Sequence, residues 1–251
     1  MPRANRHFVS GHVWHITHRC HKKEFLLKFA RDRKRWLHWL FEAKKRYGLT
    51  ILNYIVTSNH IHLLVLDNGR DEIAKSMQLI AGRTAQEYNQ RKGRKGAYWE
   101  DRYHATAIDT HDYLIQCLVY IDMNMVRTGV VKTPEQWEQS GYNEIQNQSK
   151  RYTLIDRLKL FELCGLQSVS ELQVSHKQWV EEAVSLNKLE REERWSASFA
   201  VGDQRFIEAI KKEMGMIAKF RKTLEEDGVY EIRDDVMPYS IHFSAKNSCI
   251  R

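Results

Sequence analysis

From His12 to His18 the segment HVWHITH alternates and is rich in β-branched and aromatic residues, which predicts a first strand. The period then lengthens. Between Glu24 and Tyr47 the apolar positions Phe25, Leu26, Phe29, Trp36, Leu37, Leu40 and Phe41 return at three- and four-residue intervals, predicting a long helix stopped by Gly48. In ILNYIVTSNHIHLLVL two apolar, β-branched runs flank Thr57–Asn59, the pattern of a hairpin whose second strand is Ile61–Leu66, closed by Asp67–Arg70. Helical spacing returns from Glu72 to Gln90 through Ile73, Met77, Ile80, Ala81, Ala85 and Tyr88, and RKGRKG follows as a basic loop. Tyr98–Asp109 is expected as a fourth strand. Leu114, Leu118, Ile121 and Met125 mark a third helix between His111 and Val126, with Thr110 as N-cap and Gly129 just beyond its end. The order β-α-β-β-α-β-α predicts an α+β fold whose first six elements form a ferredoxin-like antiparallel sheet with helices packed on one face.

After Pro134 the pattern changes. A polar stretch, QWEQSGYNEIQNQSK, leads into segments of helical character near Leu154–Cys164, Trp179–Arg191, Arg205–Met214 and Ile217–Glu226. A boundary near residue 150 therefore divides a first domain, 1–150, from a helical C-terminal region, 151–251, whose last residues, SIHFSAKNSCIR, are expected as a loosely held tail.

Composition narrows the class. With 42% hydrophobic and 29% charged residues, three prolines and twelve glycines, the chain reads as a folded soluble protein. No window reaches the roughly 20 apolar residues of a membrane span, and the N-terminus lacks a signal-peptide apolar region, so a cytoplasmic protein without a membrane partner is expected. Cys20, Cys117, Cys164 and Cys249 form no C-x-x-C pair and are expected as reduced thiols. The net charge of +8 is uneven: residues 1–150 hold 24 Lys/Arg against 15 Asp/Glu, whereas residues 151–251 hold 16 against 17. An anionic partner is thus expected on the N-terminal part, where runs such as KFARDRKRWLHW and NQRKGRKGAYW interleave cations with aromatics. A solvated helix face is the commoner explanation of any one such run.

Two patterns carry chemistry. His60-Ile61-His62 opens an apolar strand, and residues two apart on a strand share a face, so both imidazoles can reach one cation. Surface or hydrogen-bonded histidines are the commoner outcome of such a pair, and a metal needs further ligands from elsewhere in the fold. The second pattern is Tyr120-Ile121-Asp122-Met123-Asn124, where helical spacing projects the Tyr120 hydroxyl and the Asn124 amide from one face. If that face packs over His60 and His62, Asn124 completes a ligand set with Tyr120 beside it. Tyr113 competes with Tyr120 as a nucleophile by residue type.

These patterns lie in a wider one. GHVWHITHRC, YIVTSNHIHLLV, GAYWEDRYHATAI and DYLIQCLVYIDMNMVRTGVV follow one another as in the single-tyrosine HUH transposases, and over about residues 8–135 the chain resembles the REP-associated tyrosine transposases of that family. The resemblance implies a metal-dependent endonuclease and strand transferase acting on single-stranded DNA beside a hairpin. It places His60 and His62 on the metal-binding pair, Asn124 on the additional ligand and Tyr120 on the nucleophile that forms a 5′-phosphotyrosine link. Met125 stands where the family usually has proline, which alters the helix end rather than the ligands. A tryptophan-and-serine motif is only partly present around Trp137–Tyr142, and Gly202–Phe206 resembles a segment found downstream in longer relatives.

The implied cofactor is a divalent metal, Mg or Mn, because phosphoryl transfer suits a hard cation better than zinc. The implied partner is single-stranded or hairpin DNA, and a homodimer is compatible with the family. Expected DNA contacts are Arg19, Lys22 and Lys23 after the first strand, Arg83 on the second helix, Trp99, Arg102 and Tyr103 in the aromatic block, and Arg127 after the nucleophile. A hairpin-binding protein without useful cleavage and a zinc-dependent hydrolase remain as alternative readings.

Overall fold

The computed structural model describes residues 8–147, 151–218 and 221–234. β1 (Val13–Arg19) ends in a turn through Lys22 and Lys23, both at positive φ, and α1 (Ala30–Tyr47) starts six residues later than the apolar period suggested. The reason lies in Phe25 and Phe29, which set the early period but are 65% and 57% exposed instead of facing the core. Their segment is held by backbone contacts, with Leu27 N–H donating to Ser58 O. Gly48 closes α1 at φ +70, donating its N–H to Lys44 O as a left-handed C-cap.

β2 (Thr50–Val56) and β3 (His60–Leu66) flank the expected turn, and α2 (Glu72–Lys92) follows. β4 (His104–Ile108) is shorter than Tyr98–Asp109, because among residues 98–103 only Trp99 bridges to a strand end, at Cys20. The third helix comprises α3 (Asp112–Asp122) and α4 (Asn124–Arg127), which meet at Met123. Met123 N–H still donates to Val119 O and Arg127 N–H to Met123 O, so the turn between Tyr120 and Asn124 is preserved. His111, at φ +57, takes the N-cap position expected of Thr110.

Beyond these come α5 (Gly141–Gln146), α6 (Arg157–Leu163), α7 (Val169–Ser185), α8 (Arg194–Ala197), β5 (Ser198–Gly202), α9 (Gln204–Met214), β6 (Arg221–Glu226) and β7 (Val229–Asp234). α7 begins ten residues before the expected Trp179 because Ser168 caps it, accepting from Glu171 N–H, and it ends at Ser185 rather than Arg191. The region after residue 150 is therefore not purely helical. Of the helix expected over Ile217–Glu226, the described residues instead end a 3-10 turn (Gly215–Ala218) and form strand β6 (Arg221–Glu226), because Asp227 and Gly228 at φ +53 and +76 form a two-residue hairpin turn into β7.

The seven strands make one mixed, mostly antiparallel sheet in the order β2-β3-β1-β4-β5-β7-β6. Its first four strands have the ferredoxin-like order, and the sheet continues across residue 150 through a short parallel pairing of β4 with β5, Ala107 to Ala200 and Ile108 to Val201. β2 and β3 are buried along nearly their whole length. Strands buried on both faces need cover on both sides, so the helices do not sit on one face alone. Trp14, Trp36 and Trp195 are fully buried in the core. Cys20, Cys117 and Cys164 are buried free thiols, as expected, while Cys249 and the C-terminal tail lie outside the described residues. Among the described residues no helix is long and apolar enough to cross a membrane.

Candidate active site

Sheet register builds one face of the site. Arg19 pairs with His60, Thr17 with both His62 and His104, and His15 with Leu64 and Thr106, so these side chains share a face. His15, two residues from Thr17, is thereby the diagonal neighbour of His62, within reach of one imidazole for another. Their ring nitrogens meet at 2.8 Å, His15 Nε2 to His62 Nδ1, with the rings nearly parallel. The other nitrogen of His15, Nδ1, lies 2.8 Å from the Trp195 carbonyl at α8.

The turn of α3 and α4 closes over this face. The Asn124 side-chain nitrogen lies 3.1 Å from His62 Nε2 and 3.4 Å from His60 Nε2. His60 is oriented from behind, its Nδ1 2.8 Å from Asn59 Oδ1 and 2.9 Å from Thr57 Oγ1. The Tyr120 ring stands edge-on to His62 with centroids 5.9 Å apart, and the Arg127 guanidinium lies over that ring at 4.0 Å. Together these groups line a cleft of about 550 Å³ that Arg19, Arg102 and Arg191 also enter.

Burial governs the protonation of the site. It pushes His15 down to about 3 and His60 down to about 4, and it holds His62 well below the ordinary histidine value, with neighbouring Arg127 acting in the same direction on all three. All three rings are neutral at pH 7, with lone pairs available. Burial raises the Tyr120 hydroxyl above the ordinary tyrosine value, and the cations Arg127 and Arg191 partly oppose it.

These groups suit a divalent cation. Asn124 Oδ1 is buried without a hydrogen-bond partner, and a half-turn of the amide exchanges it with the nitrogen that faces both imidazoles. Two neutral imidazoles and an amide oxygen form an uncharged donor set for one ion. Among the described residues no three His, Cys, Asp or Glu side chains cluster to hold a metal.

The expected site residues separate into two groups. His60, His62, Tyr120, Asn124, Arg19, Arg102 and Arg127 come together in the cleft. The rest do not line it: Lys22 and Lys23 are exposed on the turn after β1, and Arg83 lies over the Trp39 ring between α1 and α2. Trp99 stacks on His18 at 4.0 Å and donates Nε1–H to Ala81 O, while Tyr103 packs near Phe8. Tyr113 is also outside the cleft, which separates it from Tyr120. Sequence reasoning missed His15, Arg191 and Trp195. A histidine inside the apolar run of β1 was the available signal for His15; nothing local marked the other two.

Fold and site together define the class: an α+β chain with a ferredoxin-like sheet, presenting a His-x-His pair to a helix-borne tyrosine and amide in an arginine-lined cleft. Residues 8–124 match the family described as Transposase IS200 like. Among solved structures it is similar to a REP-associated tyrosine transposase bound to a REP hairpin, at 22% identity over 57% of this chain and 84% of that one, with a TM-score of 0.48. A candidate transposase from Deinococcus radiodurans R1 is similar at 16% identity over 41% of this chain and 83% of that one, with a TM-score of 0.32. The comparison with curated proteins gives no match.

Proposed function

We propose that this transposase-family chain cleaves and rejoins single-stranded DNA beside a hairpin, using Tyr120 as nucleophile and a divalent cation held by His60, His62 and Asn124. The observation that carries the reading is the convergence of two neutral Nε2 atoms on one amide within 3.1 to 3.4 Å, with Tyr120 in the same cleft. When bound there, magnesium or manganese supplies charge neutralisation to the phosphoryl oxygens in the transition state. Arg19, Arg102, Arg127 and Arg191 hold the phosphate backbone along the cleft.

Tyr120 is protonated in the resting site, because burial disfavours its phenolate. As its oxygen forms a bond to phosphorus, its proton passes to solvent in the open cleft, and Arg127 over the ring stabilises the charge that develops. The bond from phosphorus to the 3′ oxygen breaks, and that oxygen leaves as a 3′-hydroxyl after taking a proton. The 5′-phosphate stays on Tyr120 as a phosphodiester, so a different 3′-hydroxyl can reverse the step without ATP.

The test uses the full chain with labelled hairpin DNAs from repeats flanking its own gene, in Mg²⁺ or Mn²⁺. A covalent adduct mapping to Tyr120, abolished by chelator, by Tyr120→Phe and by His60→Ala, is the expected result. Tight binding without an adduct on every substrate would replace this reading by that of a hairpin-binding protein. Hydrolysis lost in His60→Ala and retained in Tyr120→Phe would replace it by a hydrolase.

A further inference from the structure

We infer that His15 is a positioning residue which, backed by the Trp195 carbonyl, fixes His62 as the Nδ1–H tautomer and turns its Nε2 lone pair into the cleft. The inference rests on the reading of His60 and His62 as ligands, and it extends the site to His15 on β1 and to the Trp195 carbonyl on α8.

A backbone carbonyl can only accept, so His15 Nδ1, 2.8 Å from Trp195 O, carries a hydrogen. His15 is fully buried and neither of its hydrogen-bond partners is a carboxylate, so the ring is neutral and its Nε2 is the bare acceptor. His62 Nδ1, 2.8 Å away, must then donate, and His62 Nε2 is left with a free lone pair toward Asn124. His60 reaches the same state by another route. The Asn59 amide nitrogen donates to Lys23 O at 3.1 Å, so its oxygen faces His60 Nδ1 and accepts the ring proton. Both imidazoles thus offer Nε2 lone pairs to one point, the proton arrangement a cation requires. With the opposite tautomer His62 would present an N–H there.

The relay also assigns work to the chain after residue 150. Its last link comes from α8, whose Trp195 side chain is fully buried and anchors the carbonyl, and Leu189, Arg191 and Ser196 line the same cleft. The C-terminal region therefore completes the ligand-bearing face through a residue 180 positions away from His15.

Long-range ¹H–¹⁵N spectra of the metal-free, full-length protein with ¹⁵N-labelled histidine read each tautomer directly. Protons on Nδ1 of His15, His60 and His62 are expected, and a proton on His62 Nε2 overturns the inference. Mn²⁺ affinity, measured by electron paramagnetic resonance, should fall about 10- to 100-fold in His15→Leu. It should recover in His15→Gln, whose amide can still accept from His62 and donate to Trp195 O. Unchanged affinity in His15→Leu also overturns the inference, and thermal unfolding of the metal-free variants separates loss of fold from loss of orientation. If the wild type binds no Mn²⁺, the ligand reading fails, while the spectra still decide the relay.

Discussion

Two chains of buried polar side chains run from the first half of the molecule into the second, and they end differently. One passes from Trp195 through His15 to His62 and stops at lone pairs facing a cleft. The other joins Asn53 on β2, Asp122 on α3, His176 on α7 and Gln146 on α5. Asn53 donates to Asp122 Oδ1 at 3.0 Å, His176 Nε2 to Asp122 Oδ2 at 2.7 Å, and Gln146 to His176 Nδ1 at 2.9 Å. Asn53 Oδ1 accepts from Tyr54 N–H, so this second network is closed on itself. Both networks are buried and both contain histidine. What separates the two is the far end: His62 Nε2 meets the Asn124 amide, whose Oδ1 is buried without a partner, and a buried acceptor left unpaired is costly unless something else occupies it.

The largest effect expected from breaking the closed network is that of Asp122→Ala. Removing the carboxylate strands the His176 N–H and the Asn53 amide in the core, and stability should fall by about 3–5 kcal/mol in urea unfolding. His60→Ala, at the open network, should show the reverse profile, with Mn²⁺ affinity lost and stability changed by only about 1 kcal/mol. A loss below about 1 kcal/mol for Asp122→Ala would remove the contrast.

The pH dependence sharpens it further. His15 and His60 are pushed down to about 3 and about 4, against 6.5 for an ordinary histidine. Below pH 6.5 the unfolded chain therefore binds protons that the folded chain refuses, and stability must fall as pH falls. The contribution from His60 is fully present above 6.5 and lost on descending to about 4. Metal-free protein should thus lose stability between pH 6.5 and 5, before most carboxylates titrate. His60→Gln should flatten that slope by about one proton's worth, roughly 1.4 kcal/mol per pH unit. An unchanged slope would place the titration elsewhere.

Arg83→Ala should have the smallest effect. Its guanidinium lies over Trp39 at 5.5 Å on the α1–α2 surface, so a stability loss of about 0.5–1 kcal/mol and an unaltered adduct yield are expected. A large loss of adduct would extend the DNA path onto that surface.

Much of the ferredoxin-like half could be read from periodicity, because its signals are local. HVWHITH announced β1, Gly48 announced the end of α1, and the runs around Thr57–Asn59 announced the hairpin. The same holds for His60 with His62, two apart on a strand, and for Tyr120 with Asn124, one helical turn apart. Beyond residue 150 local signals competed. The apolar and charged residues of 217–226 suited a helix, and Asp227-Gly228, a strong hairpin signal, decided for a strand.

The amino-acid order by itself determined which side chains share a strand face or a helix face, since backbone geometry sets periods of 2.0 and 3.6 residues wherever the chain runs. It could not determine that α3 and α4 close over β3, that His15 lies diagonal to His62, or that the Trp195 carbonyl backs His15. Those are matters of strand register and helix docking between segments far apart in the chain, chosen by burial of the whole core rather than by any local preference. The tertiary structure alone therefore decided that the Nε2 atoms of His60 and His62 meet at one amide, that of Asn124.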